Sequence, residues 1–246
     1  MGRRRMTAWD LRRRRPRHAE LIVWIASFPR SGNSFLRIVL HRCFGIRSSV
    51  VYDFDGAAAR VGPAVLGYQD RPASYEEMRA SPDPHFIKTH KQCDDRIDPA
   101  DKAICLVRDG RDALVSYARQ RSEPEPERYE EILAALIETR TERGTGGWGQ
   151  NVMSWLQPVA PSRSVLRYQD LITHPLTSVG ASLREIGLDS PAASGATVPS
   201  FAELHALDPL FFRRGHSRTY EDEMPRSLEE RFWSIPDNSA AMAIAV

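Results

Sequence analysis

Apolar residues recur along this chain in two rhythms, one of strand and one of helix. Residues 21–28, LIVWIASF, form an apolar run of strand length that ends at Pro29-Arg30-Ser31-Gly32-Asn33-Ser34. Leu36, Val39, Leu40, Cys43 and Phe44 then return at three- and four-residue spacing, so the stretch predicts strand, tight turn and helix. Residues 85–90 (HFIKTH), 102–107 (KAICLV) and 164–168 (SVLRY) repeat the strand pattern. Helical spacing marks 75–79, 109–121 with Asp109 as N-cap, part of 123–143, 151–157, 175–187 stopped by Gly187, and a final helix around 227–233. The last ten residues show no capped pattern and are expected to fray. Short strands interleaved with helices imply an α/β fold of three layers, a mostly parallel central sheet flanked by helices.

The punctuation between elements carries the candidate chemistry. In the first turn, Pro29 and Gly32 shape the backbone so that several N–H groups converge at the start of the next helix, where the macrodipole favours an anion. Arg30 adds a fixed charge and Ser31 and Ser34 add hydroxyls, although an ordinary strand-to-helix turn explains the stretch equally well. Lys88 and His90 are two apart and project from one face of a strand. A cation beside an imidazole is unusual for a buried surface; the competing reading is a structural or exposed histidine. Arg108 at a strand end and Ser116 two turns into the following helix could face one anion, and Arg213-Arg214-Gly215 sets two guanidiniums beside a glycine. Gly144, Gly146, Gly147 and Gly149 make a candidate lid or hinge. Residues 56–84, broken repeatedly by Gly and Pro, suit either the wall of a binding site or a surface excursion.

Composition narrows the class. A chain of 246 residues suits one α/β domain with a sizeable core. The 27% charged residues argue against a membrane protein, and no apolar run approaches the roughly 20 residues needed to cross a bilayer. The formal net charge of +2 conceals an asymmetry, because residues 1–18 carry eight Arg against Asp10 alone. The leader reads as a solvated, disordered tail that could touch nucleic acid or an anionic membrane, and it makes no secretory signal. The protein is read as cytoplasmic, organised as a leader over 1–18, a domain over 19–235 and a tail over 236–246. Cys43, Cys93 and Cys105 are far apart and lack CxxC or Cys/His ligand spacing, which supports neither a disulfide framework nor a metal site.

In collinear order these segments resemble the sulfotransferases that use 3′-phosphoadenosine 5′-phosphosulfate, from about residue 21 to residue 233. SFPRSGNSF is similar to that family's 5′-phosphosulfate loop, FIKTH to its catalytic strand and LVRDGRDALVSY to its 3′-phosphate segment. GWGQNVMSWL and VLRYQDL resemble two later signatures, and FFRRG the C-terminal RKG element. The resemblance implies the P-loop NTPase-like sulfotransferase fold. It implies an enzyme that moves a sulfuryl group from that donor to a hydroxyl or amine of a small-molecule, lipid or carbohydrate acceptor. By the same resemblance Arg30, Ser31, Gly32, Asn33 and Ser34 would hold the 5′-phosphosulfate, and Arg108, Ser116, Arg213, Arg214 and Gly215 the 3′-phosphate. Phe35, Tyr168 and Phe201 would surround the adenine, while Phe201 also fits a core position. His90 is the implied general base, Lys88 and Arg30 would stabilise charge on the bridging and sulfuryl oxygens, and no metal is required. Arg30 stands where the loop commonly has lysine and Phe35 where it has tryptophan, and of the family's dimer signature only Glu230 remains.

Two other classes compete. A P-loop nucleoside or nucleotide kinase shares the strand-loop-helix anion site, but the loop lacks GxxxxGK[ST] and no strand end offers an evident Mg²⁺-holding Asp. A non-catalytic nucleotide- or nucleic-acid-binding module using the Arg-rich leader leaves the Lys88/His90 pair unexplained, so no nucleic-acid partner is expected. Residues 52–84 and 122–150 are expected to form the acceptor pocket, and the sequence is compatible with peripheral membrane contact.

Overall fold

The computed structural model describes residues 21–246, so the Arg-rich leader lies outside the described residues. The first apolar run becomes β1 (Ile22–Ser27), in which every residue is buried. Unbroken burial means that both faces are covered, as in a parallel sheet. On one face Val23 and Ile25 pack with Leu36, Val39 and Leu40 of α1 (Asn33–Phe44). On the other, Ile22, Trp24 and Ala26 meet Met78 and Trp155. Gly45 ends α1 in the left-handed conformation, its N–H bonding the His41 carbonyl.

The chain continues through β2 (Ser48–Val50), the short helices α2 (Gly56–Val61), α3 (Pro63–Leu66) and α4 (Tyr75–Arg79), then β3 (His85–Thr89) and β4 (Lys102–Val107). Next come α5 (Gly110–Arg121), α6 (Tyr129–Glu138), α7 (Trp148–Leu156), β5 (Ser162–Arg167), α8 (Tyr168–Thr173) and α9 (Pro175–Glu185). The C-terminal part holds α10 (Phe201–Leu207), α11 (Tyr220–Glu223), α12 (Arg226–Trp233) and α13 (Pro236–Ala245). Asp109 caps α5 as expected, its carboxylate accepting the Arg111 N–H at 2.9 Å.

The five strands among the described residues are all parallel and lie in the order β2-β3-β1-β4-β5. From β1 the chain runs outward to β2, returns through β3, and then crosses β1 to build β4 and β5 on its other side. That reversal creates a crevice at the carboxyl ends of β1, β3 and β4, where open α/β sheets bind ligands. The edge strand β2 escapes the sequence pattern because it is three residues long and reads Ser-Ser-Val.

Two expectations change. The strand expected at 164–168 starts earlier, and Tyr168 opens α8 instead of closing the strand. The last ten residues form α13 rather than fraying. Ala241, Met242 and Ala245 join the core built by α5, α6, α7 and α12. Asn238 clamps the joint, accepting the Gly149 N–H at 3.1 Å and donating to the Phe232 carbonyl at 2.9 Å. A Cβ on Gly149 would lie 2.5 Å from the Asp237 carbonyl carbon, so this glycine serves close packing of α7 on α13 and not a hinge.

Candidate active site

Four strand ends build the site side by side. After β1, Arg30 and Gly32 both take positive φ, 64° and 98°, turning the chain sharply into α1. Gly32 is the N-cap of α1 and contributes no side-chain cap, and the first turn carries no acidic residue. The orphan N–H groups there are left for an external acceptor. A Cβ on Gly32 would lie 2.7 Å from the Tyr168 ring, so the ring from α8 rests directly on the turn. Gly215, at φ 64°, repeats the device, since a Cβ there would meet the Phe201 ring at 2.1 Å.

A cavity of about 620 Å³ opens over these ends. Arg30, Gly32, Asn33, Ser34, Phe35, Lys88 and His90 line it from the β1 and β3 ends. Arg108, Ser116, Tyr168, Phe201, Arg213, Arg214 and Gly215 line the remainder. Of the residues singled out from sequence, Ser31 alone is not in the wall; it is 1% exposed and its buried hydroxyl has no partner among the described residues. Asn33 borders the cavity, yet its amide nitrogen turns back to the Ile25 carbonyl at 3.2 Å and Ser27 Oγ at 3.1 Å, so that nitrogen anchors α1 to β1. Phe201 is 41% exposed, which removes the core alternative.

The electrostatics are strongly cationic. Arg30 donates from Nε to Ser116 Oγ at 3.1 Å and from a terminal nitrogen to the Phe211 carbonyl, and its guanidinium lies 4.6 Å from the Phe211 ring centroid. Burial, with the Arg108, Arg60 and Arg213 charges around it, lowers its pKa to about 10. Arg108 donates to the Arg30 carbonyl at 3.0 Å and stacks 4.4 Å from the Tyr168 centroid, while its buried Nε has no partner among the described residues. Arg213 and Arg214 pair with Glu223 at 2.7 and 3.3 Å, and Arg214 also reaches Asp222 at 3.1 Å. Each guanidinium has five donors, so these pairs leave capacity for an anion.

The His90 ring is oriented by β1. Its Nδ1 lies 2.8 Å from the Ser27 carbonyl, an acceptor, so Nδ1 carries the proton and Nε2 keeps its lone pair. Desolvation and the Lys88 charge hold His90 well below its usual pKa, which keeps the imidazole neutral around pH 7. Lys88 is drawn down to about 8, mainly by burial.

Several participants carry no sequence signal. Ser27 is an unremarkable strand-end serine. Arg60 borders the cavity from α2, held by Asp208 at 2.6 Å and Glu123 at 3.2 Å, in a Gly- and Ala-rich segment without any motif. Tyr117 and Gln120 line the wall from α5. Of the two segments expected to form the acceptor pocket, 52–84 supplies Gly56, Ala57 and Arg60 to this cavity, and 122–150 supplies none of its lining residues. That second segment is carried off by α6 and α7, which bury Leu133, Ile137, Trp148 and Val152 in the core.

Comparison with known proteins bears on the fold and the family. Solved structures share the fold, two of them in complex with PAP. One is mouse sulfotransferase SULT7A1 complexed with PAP, with a TM-score of 0.59 at 15% identity over 92% of this chain and 89% of that one. The other is retinol dehydratase in complex with androsterone and inactive cofactor PAP, with a TM-score of 0.52 at 14% identity over 89% and 81%. WSCD family member CG9164 of Drosophila melanogaster is 28% identical over 155 residues, 61% of this chain and 45% of that protein. WSCD family member AAEL009094 of Aedes aegypti is 27% identical over 167 residues, 66% and 48% respectively. The chain spans about half the length of these curated relatives. The profile of the sulfotransferase domain matches residues 22–241, nearly the whole described chain, and the protein therefore belongs to the sulfotransferase domain family.

Proposed function

We propose that the chain transfers a sulfuryl group from 3′-phosphoadenosine 5′-phosphosulfate to a hydroxyl or amine of a small-molecule, lipid or carbohydrate acceptor, with His90 as general base. The observation that carries this reading is the free Nε2 of a neutral His90 beside Lys88, in a cavity ringed by Arg30, Arg108, Arg213 and Arg214. The wall suits a nucleotide with anions at both ends. The uncapped α1 turn, Arg30 and Ser34 fit the 5′ end, and Arg108, Ser116 and the Arg213-Arg214-Gly215 turn fit the 3′ end. Buried Arg108 Nε, without a partner among the described residues, is the kind of donor that such an anion satisfies. Tyr168, Phe35 and Phe201 offer aromatic surface for the base.

When bound, the donor supplies the sulfuryl group and a phosphate leaving group. His90 Nε2 takes the proton from the acceptor nucleophile, and the bond from Nδ1–H to Ser27 keeps the tautomer that permits it. Lys88 and Arg30 hold positive charge near the reacting centre before reaction starts, which avoids reorganisation as charge develops. Arg30 also reaches Ser116, so one guanidinium touches both anion ends of the cavity.

Thermal unfolding with 3′-phosphoadenosine 5′-phosphate tests the assignment, with ATP plus Mg²⁺ and GTP plus Mg²⁺ in parallel. Stabilisation specific to the bisphosphate is expected, about 2.7 kcal/mol at a hundredfold excess over Kd. A preference for ATP or GTP would sink the sulfotransferase reading and favour a kinase.

A further inference from the structure

The chain holds three lysines against 31 arginines, and two of those lysines meet at a single ring. Lys88 Nζ lies 4.9 Å and Lys91 Nζ 5.6 Å from the Tyr52 centroid. The hydroxyl of the same tyrosine accepts the His90 backbone N–H at 2.7 Å. From the opposite side, Asn151 Nδ2 of α7 donates to the His90 carbonyl at 2.9 Å, and Trp155 Nε1 donates to the Lys91 carbonyl at 3.0 Å. Strand β3 ends at Thr89, so the sheet ladder does not fix His90. Side chains do it instead, one on each polar atom of its main chain. Tyr52 is half-buried and is not part of the cavity wall, so it stands behind the reacting pair.

We propose that Tyr52 is a positioning residue that holds Lys88 and His90 as one unit, its hydroxyl fixing the His90 main chain and its ring seating the Lys88 ammonium. The inference rests on the sulfotransferase reading of this site. Lysine is a compact charge on a flexible stem and needs something to aim it. A carboxylate would aim it but cancel its charge, whereas the negative face of an aromatic ring holds the cation and leaves its field intact. The other charges that act on Lys88 are Asp55 and Arg37, which pair with each other at 2.8 Å. Those that act on His90 are Lys88, Arg37 and Arg30, all cations.

The test is nuclear magnetic resonance on the full chain labelled in lysine and histidine, as wild type, Tyr52→Phe and Tyr52→Leu. With three lysines the ε-CH₂ signals are few, and Lys88→Arg assigns the one that matters. In wild type, ring current displaces the Lys88 ε protons upfield, and the His90 ring nitrogens report a single Nδ1–H tautomer. Tyr52→Phe is expected to keep the lysine displacement and to shift the His90 nitrogens toward a mixture of tautomers; Tyr52→Leu is expected to lose both signatures. A Lys88 signal that does not move in Tyr52→Leu, or His90 nitrogens unchanged in both variants, overturns the proposal. If Tyr52→Leu does not fold, unchanged His90 nitrogens in Tyr52→Phe still overturn the part assigned to the hydroxyl. Titrating 3′-phosphoadenosine 5′-phosphate into the same samples separates the two levels. Binding retained in all three supports a role confined to the reacting pair, while failure to bind wild type overturns the underlying sulfotransferase reading whatever Tyr52 does.

Discussion

What surrounds His90 suits it to the proposed role of base. One ring nitrogen is committed to the Ser27 carbonyl and the other is not, and burial beside Lys88 suppresses the charged form. Replacing His90 with Ala is expected to lower turnover by about 10²–10⁴-fold with donor binding preserved; a near-native rate in steady-state assays would remove His90 from the mechanism. Under the proposed mechanism, the pH dependence follows from opposite requirements on two groups. His90 must be neutral, and its depressed pKa moves the acid limb well below 6.5. Lys88 must be charged, and its charge is lost as pH rises through about 8. The rate should therefore be level around neutrality and fall above pH 8, and Lys88→Arg should flatten that fall because guanidinium stays charged. A pH–rate profile whose alkaline limb is unchanged in Lys88→Arg would assign that limb to another group.

At the scale of elements, the two turns proposed to bind the donor's anions are held by quite different means. The first is covalent neighbour geometry, Arg30 to Gly32 between β1 and α1. The second, the segment after Phe211, has no regular structure until α11 and is pinned from α5 by the fully buried Asp112. Its carboxylate accepts from the Arg218 N–H at 2.9 Å, Thr219 Oγ at 2.9 Å and the Tyr220 N–H at 3.1 Å. Asp112→Ala would leave three donors without their partner and cost about 3 kcal/mol or more. It should also weaken 3′-phosphoadenosine 5′-phosphate binding, since the turn at 213–215 loses its anchor. Calorimetric unfolding and titration check both effects, and an unchanged affinity would show that the turn holds itself.

Over the whole molecule, the helices beyond the sheet form a second core that closes through the last helix. Met242 is 3% exposed among the α5, α6, α7 and α12 side chains, and its sulfur accepts the Gly110 N–H at 3.4 Å. Gly110 itself is a contact point, where a Cβ would meet Trp148 at 2.5 Å and Phe232 at 2.8 Å. Met242→Ala is expected to destabilise the fold by about 2–4 kcal/mol, read as a lowered denaturant midpoint. A change near zero would mean that α13 is dispensable for the core. Because α5 also carries Ser116, Tyr117 and Gln120 to the cavity, loss of this packing should be felt at the site as well.

Much was legible in the sequence because it lies in local pattern. Period and punctuation specify β1, the turn and α1, and they mark Lys88 with His90 and Arg108 as strand-end residues, since spacing along one strand or helix is set by backbone geometry alone. The order of those segments, through the family resemblance, points to the sulfotransferase fold. Only the tertiary structure decided which nitrogen of His90 is free, because the Ser27 carbonyl reaches it across 63 positions. It likewise turned the Asn33 amide nitrogen back onto β1, brought Arg60 and Tyr52 to the site's edge, and made a core helix of the last ten residues. Those outcomes depend on pairings between distant segments, and burial or hydrogen bonding of that kind leaves no periodic trace in the chain.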